Sequence, residues 1–164
     1  MSLVADLRRL LLRELQTFRR EVELTPDEFL WIAPAGVLNP VGNLALHAAG
    51  NLRHFVGSVL GGTGYVRNRD AEFSSRGLTR GEVVEALDHA MNEVDRTLAK
   101  LDPAVMDQPY PVEVAGKQLV TGPFLTHLAV HLGFHLGQAG YLRRILTGEN
   151  LSASPVAVSA LAEP

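Results

Sequence analysis

Cysteine is absent from all 164 residues. That excludes disulfides, a protein thiol nucleophile and thiolate metal ligands. Long apolar runs are missing too. None approaches the roughly 20 residues a membrane span requires, so no membrane partner is expected. The N-terminal stretch MSLVADLRRLLLRELQ is amphipathic and charged throughout, unlike a secretory signal, and a cytoplasmic protein is expected. An excess of basic charge is lacking as well. The formal net charge is −3, and Arg8-Arg9, Arg19-Arg20 and Arg143-Arg144 are short pairs that suit solvated helix faces. No nucleic-acid partner is therefore expected. The chain has no phosphate-binding G-x-x-x-x-G-K loop, no G-x-S-x-G elbow and no internal repeat.

What is present points to one helical domain. Hydrophobic residues make up 46% and charged residues 20%, a balance that supports a substantial core. Leu3, Leu7, Leu10, Leu11, Phe18 and Val22 recur with helical spacing and predict a first helix over residues 3–24. Asn39-Pro40 reads as a helix start, with a capping side chain followed by proline at the first helical position. The helix it opens runs to about Leu60 and stops at Gly61-Gly62. Gly42, Gly50 and Gly57 inside it leave room for another helix or a ligand. Residues 61–78 form a long polar connection, of the kind that in compact domains is functional or mobile. Thr79 and Glu82 make a capping box for a third helix over residues 80–101. In residues 104–120 the alternating YPVEVAGKQLV predicts a small β-hairpin. A last helix runs from Thr121 to Thr147 and stops at Gly148. The expectation is an all-α fold, a four-helix bundle over residues 1–148 with a small hairpin before the last helix. Residues 149–164 are expected to form a loosely packed or disordered tail.

Chemistry concentrates in the last helix. HLAVHLGFHLGQ places His127, His131 and His135 four residues apart. At about 100° per residue each step of four drifts by only about 40°, so the three rings form one slanted stripe. Two neighbours at this spacing can chelate one divalent ion. All three cannot, because the outer pair stand about 12 Å apart along the axis. A third ligand must come from another helix, and His47 and His54 lie on nearly one face of the second. A lone histidine on an apolar face is more often a satisfied core residue than a ligand. Three in register facing two more shift that balance towards a metal site. His89 has no such company and reads as solvated. Asp70 and Glu72 in the long loop offer an acid/base pair, but read rather as charges on a surface loop, and Ser58, Ser74 and Ser75 have no spacing that would pair them with a histidine.

VGNLALHAAGNLRHFV, RDAEF and HLAVHLGFHLGQ, in that order, resemble the DinB-like (damage-inducible) superfamily of small four-helix proteins. The resemblance implies that fold over residues 3–148. It also implies a divalent metal, zinc or nickel, held by His47, His131 and His135 with an open coordination position. His127 would line the pocket, back a ligand or shuttle protons, and His54 would not be a ligand. The implied activity is a metal-dependent thiol S-transferase or a hydrolase, acting on a small-molecule substrate with a low-molecular-weight thiol as cosubstrate. Three neutral histidines leave the ion its full charge, and a thiol or water in the open position deprotonates more readily. The alternative is a non-catalytic, metal-stabilised stress-response or binding protein, whose site a fourth protein ligand would close. A homodimer through exposed apolar helix faces is the expected assembly.

Overall fold

Helix α1 (Leu3–Leu24) begins where the Ser2 side chain accepts a hydrogen bond from the Ala5 amide. Its buried stripe, Val4, Leu7, Leu11, Leu15, Phe18 and Val22, advances in steps of three and four along one face. The computed structural model describes residues 2–153, and the C-terminal tail over 154–164 lies outside the described residues. Among the described residues there are five α-helices and no β-strand. Helices α2 (Val41–Leu52), α3 (Arg69–Ser74), α4 (Arg80–Leu98) and α5 (Thr121–Thr147) follow α1. The fold is all-α. Helices α1 and α2 each pack against both α4 and α5. No described helix is long and apolar enough to cross a membrane.

Several local expectations meet a different outcome. The second helix starts at Val41 with Pro40 in the capping position, and no side chain caps it. Beyond Leu52 it continues as a π-helix over Arg53–Leu60. Its closing hydrogen bond reaches five residues back, from Gly61 N to Val56 O. A π segment leaves no mark on hydrophobic period, so a plain α-helix to Leu60 was the natural expectation. The polar connection over 61–78 contains the six-residue α3, capped by the Asn68 side chain on the Ala71 amide. The hairpin is reduced to two isolated antiparallel bridges, Pro109 with Val120 and Val114 with Lys117. Ala115 and Gly116 both carry positive φ, 51° and 70°, and so make a tight turn. A five-residue 3-10 helix at Pro103–Asp107 takes up the chain just before it.

Other signals hold. Thr79 and Glu82 form both halves of the capping box at the start of α4. Gly148, at φ 71°, ends α5 in the left-handed conformation glycine tolerates. The described residues after Gly148 make contacts with α1 and α5. Ala153 is buried and its amide donates to Glu21 Oε1 at 3.1 Å, while Leu151 O accepts from Arg143.

Helix α5 decides where the histidines stand. Its core seam is Leu125, Leu128, Leu132, Leu136, Ala139 and Leu142, all buried. His127, His131 and His135 each precede a seam leucine by one residue, hence by about 100° of rotation. They therefore stand at the rim of the core, where His131 and His135 are half-buried and His127 is exposed. The facing stretch of α2 and its π continuation runs antiparallel to α5. Phe55 meets Phe124 with ring centroids 5.1 Å apart, and eight residues earlier His47 meets His131 and His135.

Candidate metal centre

Helices α2 and α5 bring together His47, His131 and His135, a group that could hold a metal ion. One ring nitrogen of each lies within 4.8 Å of the others. His131 Nε2 stands 3.1 Å from His135 Nε2 and 3.4 Å from His47 Nε2. Nitrogens about 2.0 to 2.1 Å from a tetrahedral ion are about 3.3 Å from one another. Both separations sit near that value, so the donor set fits a first-row divalent ion.

Hydrogen bonds on the far side of two rings aim them inward. His47 Nδ1 lies 2.8 Å from Glu72 Oε2, and His135 Nδ1 lies 2.9 Å from Gln138 Oε1. Carboxylate and amide oxygens accept, so both Nδ1 atoms carry the hydrogen and both Nε2 atoms present lone pairs to the cluster. An Arg67 terminal nitrogen also stands 3.3 Å from His47 Nδ1 and can only donate, but the shorter carboxylate contact decides the tautomer. Burial pushes His131 down to about 4, helped by neighbouring His135 and His47. Burial also lowers His135, against the hydrogen bond to Gln138 that favours its charged form. The half-buried histidines of α5 are therefore neutral at pH 7, as metal ligands must be.

The remaining histidines stand apart from this group. His127 stacks one turn away, its ring centroid 6.0 Å from that of His131. His54 packs its ring on Phe55, and its Nδ1 is buried without a hydrogen-bond partner among the described residues. Burial and then the charge of Arg67 lower its pKa. His89 is exposed on α4, 3.6 Å from Glu85.

One residue read as a surface charge is nothing of the kind. Glu72 is 5% exposed and lies against His47. Burial pushes its carboxyl up, but the hydrogen bonds from Arg67 and His47 outweigh that and hold it below the ordinary range. Its place among polar residues in RNRDAEFSSR is what favours the surface-loop reading in the sequence. A usable signal was Gly50, three residues after His47: a Cβ there would fall 2.2 Å from Glu72 Oε1.

Beside the cluster runs a groove of about 430 Å³. His135 and Gln138 form one wall, and Leu38, Leu44, Tyr141 and Ile145 supply most of the apolar remainder. A larger cleft of about 680 Å³ lies between Gly61–Thr63 and α4 and includes none of the clustered histidines.

Three imidazoles converging from two facing helices of an all-α protein form a group that could hold a metal ion, the arrangement on which helical metal sites are built. Residues 10–139 match the family model of the DinB superfamily. The chain belongs to that superfamily, as its helix 2, loop and helix 5 motifs suggested. No curated protein matches it.

Proposed function

We propose that this chain is a metal-dependent enzyme of thiol S-transferase or hydrolase type, working from one ion held by His47, His131 and His135. The observation that carries the reading is the convergence of three imidazoles within 4.8 Å of one another, with His131 Nε2 at near-tetrahedral spacing, 3.1 and 3.4 Å, from the other two Nε2 atoms. We read α1, α2 with its π continuation, α4 and α5 as the four-helix bundle that such sites are built in. Zinc and nickel both suit three imidazoles. The bound ion supplies a Lewis acid that makes a thiol or water in its open position easier to deprotonate.

The chain's own residues supply the rest. Glu72 and Gln138 turn two ligand rings so that their lone pairs face inward. His127, exposed and one turn from His131, is placed to pass a proton between the site and solvent. Among the described residues the donor group has three members and no fourth, which supports an open site over a closed structural one. The groove along His135 gives a small molecule a seat next to the ion. Its walls carry no charged side chain, which favours a substrate that is uncharged where it lies against them.

The test pairs metal analysis with a screen of thiol transfer and hydrolysis, run on zinc- and nickel-loaded protein. One ion per chain, lost in His131→Ala, together with turnover on any thiol acceptor pair or ester is expected. A His131→Ala protein that keeps its ion would overturn the ligand set. Turnover without metal would overturn the mechanism.

A further inference from the structure

Helix α3 is only six residues long, yet it is fastened to α2 at three points along one face. Asn43 Nδ2 donates to Glu72 O at 2.8 Å and to Ser75 O at 3.1 Å. His47 meets the Glu72 carboxylate four residues later. Three residues further on, Gly50 lies flat under the same carboxylate, where any Cβ would collide with it. Positions 43, 47 and 50 are spaced to share one face of a helix. Arg67, in the loop just before α3, holds the Glu72 carboxylate from the other side. Its Nε donates to Glu72 Oε1 at 2.7 Å and a terminal nitrogen donates to Oε2 at 2.8 Å, a two-pronged clamp.

We propose that Glu72, clamped by Arg67 and seated on Gly50, is the positioning residue of the metal site, fixing the His47 ring with its hydrogen on Nδ1 and its Nε2 lone pair aimed at His131 and His135 before any ion arrives. The inference rests on the metal reading above. Its logic is geometric. With the hydrogen on Nε2, His47 would drive an N–H into the space an ion must fill. A carboxylate can only accept, so it selects the other tautomer. The clamp matters because a carboxylate left free on a surface loop would lose this geometry to water and to its own rotamers. Arg67 also offsets the carboxylate charge. The pair behind His47 thus brings no net charge to the site. Carboxylate-backed histidines hold their ring and gain basicity in this way, and losing the backing group costs about 10- to 100-fold in metal affinity.

The test uses the full chain and zinc, with two variants that leave every histidine in place. Glu72→Ala removes the carboxylate. Gly50→Ala pushes it aside while keeping it in the chain. Each is checked for fold by circular dichroism and urea unfolding, then titrated with zinc. Long-range proton–nitrogen correlation spectra of the metal-free protein read the His47 tautomer directly, which a merely structural role would not alter. The expected result is an Nδ1–H His47 in the unaltered protein, a mixed tautomer in both variants, and zinc binding weakened about 10- to 100-fold. Folded variants that bind zinc as tightly as the unaltered chain, or an Nε2–H His47 in that chain, overturn this inference and leave the metal reading standing. An unaltered chain that binds neither zinc nor nickel overturns both.

Discussion

Two glutamate–arginine pairs in this molecule, each built on a buried glutamate, use the same ingredients for different ends. Glu21 on α1 and Arg143 on α5 meet at 2.6 Å, with Arg143 wholly buried. The other hydrogen bonds of that pair also tie chain to chain: Glu21 takes the Ala153 amide, and Arg143 reaches Leu151 O and Glu149. Glu72 and Arg67 form an equally close pair at 2.7 Å, but there one carboxylate oxygen also takes the His47 ring, whose other nitrogen faces the cluster. The first pair closes on backbone and ties the C-terminal segment to the helices. The second passes its orientation on to a group that can bind something else. Burial and charge alone do not separate structure from function; where the last hydrogen bond goes does.

The sharpest way to break the comparison is to remove one cation. Arg143→Met leaves Glu21 buried without its partner, and breaking such a pair costs about 3–5 kcal/mol. Urea unfolding of the metal-free protein should show that loss, while the folded fraction still binds zinc normally. A large drop in zinc affinity would mean the two regions are coupled and the contrast false. His131→Ala should do the reverse. It removes the ring that stands between the other two, so zinc affinity should fall by more than the roughly 100-fold that loss of an outer partner costs. The urea midpoint of the metal-free protein should move by no more than about 1 kcal/mol equivalent, because the ring is half-buried at the rim.

The same contrast explains what could be read from the chain in advance. Helical period, the Thr79–Glu82 capping box and the Gly148 stop are local signals, and each is borne out where it was expected. The spacing of four between His131 and His135 is also local, and only one partner had to be found on another helix. Glu72 is different. Its burial depends on α3 folding back over α2, on Gly50 leaving space and on Arg67 arriving from five residues away, none of which has a period. The Glu21–Arg143 pair joins residues 122 apart in sequence and was equally invisible. The π-helix and the reduced hairpin were missed for a related reason: each turns on backbone hydrogen bonds that do not alter the hydrophobic pattern.

A smaller effect should appear on acidification of the metal-free protein. His131 is pushed down to about 4 in the folded chain, by burial first and then by His135 and His47, and lies near 6.5 when unfolded. Between those values the unfolded chain holds the proton and the folded chain does not, so falling pH favours unfolding. The stability tied to this ring is complete above about pH 6.5 and is lost as pH falls towards 4. His135, lowered in the same sense, adds to the slope. His131→Ala should flatten the fall in melting temperature over that interval. A slope unchanged in that variant would place the titrating groups elsewhere.

The smallest expected effect compares the two groups that back the ligands. Glu72 is buried, charged and clamped, whereas Gln138 is an exposed neutral amide on the same helix as the ring it holds. When Gln138 is cut back to alanine, water can reach His135 Nδ1 and accept in its place, so only the net value of one ordinary hydrogen bond is lost, about 0.5–1.5 kcal/mol. Gln138→Ala should therefore weaken zinc binding by no more than about 10-fold. Behind His47, loss of the Glu72 carboxylate removes a charged acceptor and leaves the Arg67 cation, 3.3 Å from His47 Nδ1, with no carboxylate between them. Equal losses in Gln138→Ala and Glu72→Ala would show that both backing groups act as ordinary hydrogen-bond acceptors, and that burial and the Arg67 clamp contribute nothing to the metal site.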